Sequence, residues 1–393
     1  MAATSVLVVG GGIAGTAAAL GLHKAGFDVT VLEAHPDAAE DLGAFLTLAS
    51  NGMRALAELD ATDAVTAIGF PLTSLRLLDS QGSEAVRAPL GEADDPALRF
   101  RCLRRGELNS ALQAETVRRG IPVRHGTRLV SVTDGPEGVT VHLSDGSSAV
   151  ADLLIGADGL NSTVRRQIFG RAPQPRYAGQ RVFYGYVHDA PVTDATGTIT
   201  MVRGSESAFG FAVSPQRETY WFARIGGEPL PTDGPAYRTA ADRRDELLAL
   251  LRKDSTPAAD IVAACADRIM VTNATEMPLG TAWHTGRVLL VGDAAHAASP
   301  ATGQGASMAL EDAVVLAKSL RDAPDPHSAF TLYEQHRRPR TEHNISVSGG
   351  ISRGTHTTSR DASAGPGARR PDDALIRQLA WDVQLSAEAD ATG

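Results

Sequence analysis

Cysteines, aromatic residues and long apolar runs are all scarce in this chain. Two cysteines in 393 residues, Cys102 and Cys265, give no disulfide framework and no zinc or dithiol spacing, and they read as reduced thiols of the cytoplasm. No apolar stretch approaches the roughly 20 residues of a membrane span. The apolar run Val6–Val9 feeds a glycine turn, so it reads as a strand and not as a secretion signal. Basic charge is in deficit too. A net charge of −9 argues against nucleic acid and against an anionic membrane surface as partners, and says nothing about fold. With 43% hydrophobic and 21% charged residues, the chain has the balance of a globular protein with core for two or three domains.

Glycine, by contrast, is placed with purpose. Residues 5–9 read as a buried strand ended by glycines, Ala14–Lys24 as a helix stopped by Gly26, and Phe27–Leu32 as a second strand ending at Glu33. That is one βαβ unit. Asn51 is placed to cap a helix running to Leu59. Leu72–Leu90 reads as a hairpin turning at Asp79–Gly82, Leu108–Arg119 as a helix, and 122–150 as a meander. Leu153–Ile155 and Val288–Val291 return as buried strands. Between 173 and 278 the pattern changes to antiparallel strands (Val182–Val187, Gly197–Val202, Phe209–Val213, Thr219–Ile225) and a helix at Ala240–Leu251. Gly305–Ser319 reads as a helix, 346–371 as a loop, and Asp372–Leu385 as a final helix.

Gly10, Gly12 and Gly15 have the dinucleotide spacing: a tight turn, a close approach of backbone to pyrophosphate, and a close helix–strand contact. The helix start then offers unpaired N–H groups to phosphate. Glu33 ends the second strand, where a carboxylate accepts ribose hydroxyls and disfavours a 2′-phosphate. Asp293 sits at the C-terminal end of another buried strand, the ligand edge of an α/β sheet, and the ribityl hydroxyls of a flavin would satisfy it there. Gly303, Gln304 and Gly305 leave backbone N–H groups uncovered where a helix starts, suited to a flavin's N1–C2=O edge.

These segments, with Gly156-Ala157-Asp158-Gly159 and Arg165 between them and Pro300 after Asp293, resemble the group A flavoprotein monooxygenases, typified by para-hydroxybenzoate hydroxylase. The likeness spans about residues 5–345. It implies an α/β fold: a Rossmann-like FAD-binding domain of the GR2 type (1–71, 97–172, 279–345), a second, mostly antiparallel β-sheet substrate domain (72–96, 173–278), and a loop and C-terminal helix (346–393). The length points to the compact subgroup without a thioredoxin-like third domain. Gly10, Gly12, Ala14, Gly15 and Glu33 would hold the adenosine diphosphate half of tightly bound, non-covalent FAD, with Leu129 at the adenine. Asp293 would hold the ribityl chain, Pro300 would lie beside the isoalloxazine, and Gly303 and Gly305 would contact its pyrimidine edge. Asp158 would organise the pyrophosphate and a transient NADPH or NADH. Arg105 would reach FAD, with Arg104 able to take its place, and Gly43 and Ala44 would pass close to the ring. His296 reads as part of the strand–helix connection.

The implied reaction is hydroxylation or epoxidation of an aromatic or polyketide-like molecule, using NAD(P)H and O2 through a flavin C4a-hydroperoxide. The site would be roofed by the second sheet. That sheet carries Phe183, Tyr184, Tyr186, Phe209, Phe211, Tyr220, Trp221 and Phe222, of which alternation directs half to the site and half to solvent or a partner. Arg203, Tyr220 and His188 are candidate catalytic residues. A reductase or dehydrogenase of the same fold, or a non-turnover flavoprotein holding a reactive intermediate, are the alternatives. A halogenase is disfavoured because Trp221 and Trp283 lack the Trp-x-Trp-x-x-Pro setting. The sequence leaves monomer and homodimer open.

Overall fold

The computed structural model describes residues 3–38, 43–192, 195–231, 239–265, 268–355 and 372–386. The apolar strand Ser5–Val9 lies inside a six-stranded sheet, ordered His284–Thr285, Val288–Leu290, Leu153–Gly156, Ser5–Val9, Asp28–Leu32, Val123–Arg124. The last five run parallel, and only the outermost His284–Thr285 turns back. Parallel strands need cover on both faces. Helix Ile13–Lys24 packs against the helices Arg105–Arg118 and Gly305–Asp322, and the meander Leu129–Gly135, Gly138–Leu143, Ser148–Ala151 joins the same apolar core. The continuous runs Val6–Val9 and Val288–Val291 are buried throughout for this reason.

A seven-stranded sheet takes the order Met270–Glu276, Arg176–His188, Glu218–Gly226, Ser207–Val213, Thr198–Arg203, Ser74–Leu78, Glu84–Pro89. Its strands pair antiparallel except Thr198–Arg203 with Ser74–Leu78. The period of two divides its aromatics four and four. Phe183, Phe209, Phe211 and Trp221 pack with the helices Ala240–Leu251 and Ala258–Ala263. Tyr184, Tyr186, Tyr220 and Phe222 face the small sheet Phe45–Leu48, Phe100–Arg104, Phe70–Leu72. The even split matches the alternation, but the far half meets helices rather than solvent or a partner.

Three local expectations are corrected. Asn51 is not an N-cap: the helix spans Ser50–Glu58 after Ala49, and the Asn51 amide reaches Gln304 and Glu311 instead. The expected loop from 346 is helical to Ser352, the end of a 27-residue helix that begins at Pro326 behind the cap Asp325. Residues 356–371 of that loop lie outside the described residues. The final helix is shorter than expected, Asp373–Leu379. No helix among the described residues is long and apolar enough to cross a membrane.

Candidate cofactor and substrate site

Gly10 ends the central strand with φ of 107°, and a Cβ there would meet the Ala157 carbonyl. A Cβ on Gly15 would run into the Gly10 carbonyl. Gly12 is different, since a Cβ there would meet nothing within 4 Å. No side chain caps the helix that starts at Ile13, which leaves its first N–H groups without a capping partner. Glu33 holds the far side of this turn: Gly11 N donates to its Oε2 at 2.5 Å and His35 N to its Oε1 at 2.6 Å. Each oxygen keeps a second lone pair for a ribose hydroxyl. Thr127 N donates to the Glu33 carbonyl at 2.8 Å, which brings Leu129, buried at the start of the meander, to the same end of the sheet.

The Asp-Gly segment closes on itself. Asp158 accepts from Ser162 Oγ (2.5 Å), Thr163 N (2.6 Å) and Val164 N (3.0 Å), so its carboxylate fixes the start of helix Thr163–Ile168. Arg165 leaves that helix fully buried and donates at 2.7 Å to both the Leu160 and the Ala294 carbonyls. Burial lowers its pKa. Gly292, with φ of 58°, abuts the Ala14 side chain, which a Cβ on Gly292 would approach to 2.7 Å. The three glycine-bearing segments therefore touch one another: Gly10 against Ala157, Gly292 against Ala14, Arg165 onto Ala294.

Asp293 opens the short helix after Val288–Leu290 and is exposed, not buried as a strand-end charge would be. No hydrogen bond or ion pair among the described residues uses its carboxylate. Pro300 is exposed at the start of the 3-10 turn Pro300–Thr302, followed by Gly303 in the left-handed region (φ 68°). A Cβ on Gly303 would sit 3.4 Å from Thr47 Oγ1. Helix Gly305–Asp322 then starts with no side-chain cap, and a Cβ on Gly305 would meet nothing within 4 Å. Two uncapped helix starts and an unpaired carboxylate fit a long cofactor with an anionic middle and a polyhydroxyl chain, which is FAD.

Beneath these turns lies a buried ionic network that sequence reasoning missed. Glu311 and Asp312 are both fully buried on helix Gly305–Asp322. Arg337 bridges them, donating from Nη1 to Glu311 at 2.6 Å and from Nε to Asp312 at 2.8 Å. Arg340 and Asn51 also donate to Glu311. Asp312 accepts from Gly292 N at 3.0 Å and lies 2.6 Å from His296 Nε2, so one carboxylate grips both ends of the turn that carries Asp293. His296 is buried against Trp283, ring centroids 5.2 Å apart, in the strand–helix connection where the sequence put it. The adjacent Glu311-Asp312 pair inside the otherwise apolar run Met308–Ala317 was the available signal.

The small sheet separates the two arginines that sequence left interchangeable. Arg104 donates twice to Glu218, at 2.8 and 2.7 Å, with its guanidinium 4.5 Å over the Tyr186 ring. Arg105 is exposed at the start of its helix; its N–H donates to the Ala44 carbonyl at 3.0 Å and its stem lies against Gly43.

On the large sheet, Tyr220 and Phe222 sit between Glu218 at one rim and Arg224 at the other, all on one face. Arg224, unforeseen, is 8% exposed and donates to the Ala301 carbonyl at 3.3 Å, pinning this face to the Pro300–Thr302 turn. Alternation from Tyr220 could have found it. Burial pushes the Tyr184 and Tyr220 hydroxyls up to about 12, so both stay protonated donors near neutrality. His188 is 74% exposed beside Glu218 at the rim, and Arg203 is exposed at the end of its strand, so neither joins the aromatic panel.

A family model for an FAD binding domain matches residues 3–348. The FAD-dependent urate hydroxylase of Klebsiella pneumoniae subsp. pneumoniae is 33% identical over 344 residues, 84% of this chain and 85% of that protein. The 2-heptyl-3-hydroxy-4(1H)-quinolone synthase of Pseudomonas aeruginosa is 33% identical over 346 residues, 86% of each chain. The crystal structure of Klebsiella pneumoniae HpxO complexed with FAD and uric acid superposes with a TM-score of 0.79 at 27% identity, covering 96% of this chain and 92% of that one.

Proposed function

Because the chain belongs to the FAD-binding-domain family and is an FAD-dependent monooxygenase, we propose that it uses NADPH or NADH and O2 to oxygenate a planar aromatic or polyketide-like molecule. The observation that carries this reading is the panel Tyr184, Tyr186, Tyr220 and Phe222, tied by Arg224 to the turn at Ala301. Bound FAD supplies the electron transfer from nicotinamide and the activation of oxygen. The chain's residues position and shield. Gly10, Gly12, Ala14, Gly15, Glu33 and Leu129 hold the adenosine half, and Asp293 the ribityl hydroxyls. Pro300, Gly303, Gly305, Ala44 and Arg105 border the ring. Asp158 acts at one remove, by fixing its own loop. The aromatic panel excludes water, and Tyr184 and Tyr220 offer neutral hydroxyls to the substrate. Residues 72–96 and 173–278 form the substrate domain in this reading, and the reduced thiols and acidic charge suit the cytoplasm.

The test is NAD(P)H consumption across a panel of phenols, quinolones and polyketides. A member of the panel should accelerate it and yield a product heavier by one oxygen. Stoichiometric oxidation of NAD(P)H with no oxygenated product would favour a reductase instead. The cofactor turn has its own test. Gly15→Ala is expected to weaken FAD binding by at least about tenfold, because the added methyl overlaps the Gly10 carbonyl and must displace the helix from the strand. Titration of apoprotein with FAD measures this, and wild-type affinity would contradict the assigned close contact.

A further inference from the structure

We propose that Phe45 sets the upper size of the ring system that the substrate site admits. The inference rests on the monooxygenase reading above and adds a residue that determines its specificity. Phe45 opens the strand Phe45–Leu48, directly after Gly43 and Ala44. Alternation puts Phe45 and Thr47 on one side of that strand and Leu46 and Leu48 on the other. Thr47 approaches Gly303 on the ring-bordering turn, so the Phe45 side of the strand is the side of the site. Leu48 belongs to the nucleotide-domain core, as the alternation requires.

The Phe45 ring spans the space between this strand and the aromatic panel. Its centroid lies 6.3 Å from Tyr184, 6.4 Å from Tyr186, 5.7 Å from Tyr220 and 6.2 Å from Phe222. Three of these four contacts are edge-on or nearly so, the geometry in which rings interlock. The neighbouring strand of the large sheet contributes little bulk on this face. Ala212 stands in register with Tyr220, and Gly210 with Phe222. The Phe222 ring itself covers Gly210, and a flat molecule lying against the panel meets the Phe45 ring head-on. Truncating a buried aromatic of this size opens space on the order of one small aromatic ring.

The test uses FAD-loaded wild type, Phe45→Ala and Phe45→Leu, with Phe45→Leu carrying the result should Phe45→Ala fail to fold. The probes are 4-hydroxybenzoate, 4-quinolone and 9(10H)-acridone, which have one, two and three rings. Dissociation constants are read from the perturbation of flavin absorbance, alongside KM and kcat for any probe that stimulates NAD(P)H oxidation. The affinity ratio of acridone to hydroxybenzoate should rise by at least about tenfold in both variants. The gain should fall in Kd and KM for acridone rather than in kcat. An unchanged ratio in folded, FAD-loaded variants overturns the proposal. If no probe of any size stimulates NAD(P)H oxidation even in wild type, the planar aromatic substrate class proposed above fails, while the dissociation constants still decide the role of Phe45.

Discussion

Asp293→Ala is expected to purify as largely colourless apoprotein. The carboxylate is exposed, opens a short helix at the end of a parallel strand, and serves no partner among the described residues. Its removal therefore costs the fold little, within the roughly 0.5 kcal/mol typical of surface substitutions. A hydrogen bond from a ligand hydroxyl to a carboxylate is worth about 1.5–3 kcal/mol, and a polyol can make two. That converts to a loss of FAD affinity on the order of a hundredfold or more. The apoprotein should melt at the wild-type apoprotein temperature, which separates a binding role from a folding role. Asp293→Asn should lie between, since the amide still accepts from one hydroxyl. Flavin absorbance per polypeptide measures all three, and Asp293→Ala with FAD at full occupancy would remove Asp293 from the site.

The second large effect is structural and sits directly below. Arg337→Met should lower unfolding stability by about 3–5 kcal/mol, because it leaves Glu311 and Asp312 buried without their shared cation. Burial alone would push both carboxyls up. For Glu311, Arg337 and Arg340 outweigh it, and for Asp312, His296 and Arg337 do, so both pKa values end below the ordinary range. Carboxylates with depressed native pKa values stabilise the fold above their unfolded pKa, and lose that contribution as pH falls through the native value. The variant should accordingly show less loss of stability than wild type between neutral pH and acid. The triple change Arg337→Met, Glu311→Gln, Asp312→Asn should recover part of the loss, as removing a whole ionic cluster costs less than breaking it. Urea titration monitors each, and a loss below about 1 kcal/mol in the single variant would show that the network relaxes without Arg337.

These two residues mark how far the sequence could be read. The turn at Gly10 and the close contact at Gly15 were legible because a tight turn and a helix packed onto a strand restrict residue type at fixed spacing. The strands Val6–Val9 and Val288–Val291 were legible because burial on both faces leaves unbroken apolar runs. Asp293 was legible by position but not by environment, since burial depends on what lies against it. Helix Pro326–Ser352 was not legible. Beyond Tyr333 it buries Arg337, Thr341, Asn344 and Ser348 and carries Pro339 inside, so that part of its inward face reads as mostly polar. Arg104 and Arg105 were inseparable in sequence, because only the pairing of Phe45–Leu48 with Phe100–Arg104 decides which one turns toward Glu218. Arg224 and Phe45 were overlooked for opposite reasons: one is a charge in an aromatic strand, the other an ordinary apolar residue whose partners are distant in sequence.

The measurement that tests the central claim most directly is turnover under ¹⁸O2 with NADPH or NADH and a substrate that stimulates its oxidation. The account predicts that one ¹⁸O atom appears in the product for each nicotinamide oxidised in coupled turnover, and that Asp293→Ala forms no product. A product formed equally well without oxygen, or carrying oxygen from water alone, would contradict it.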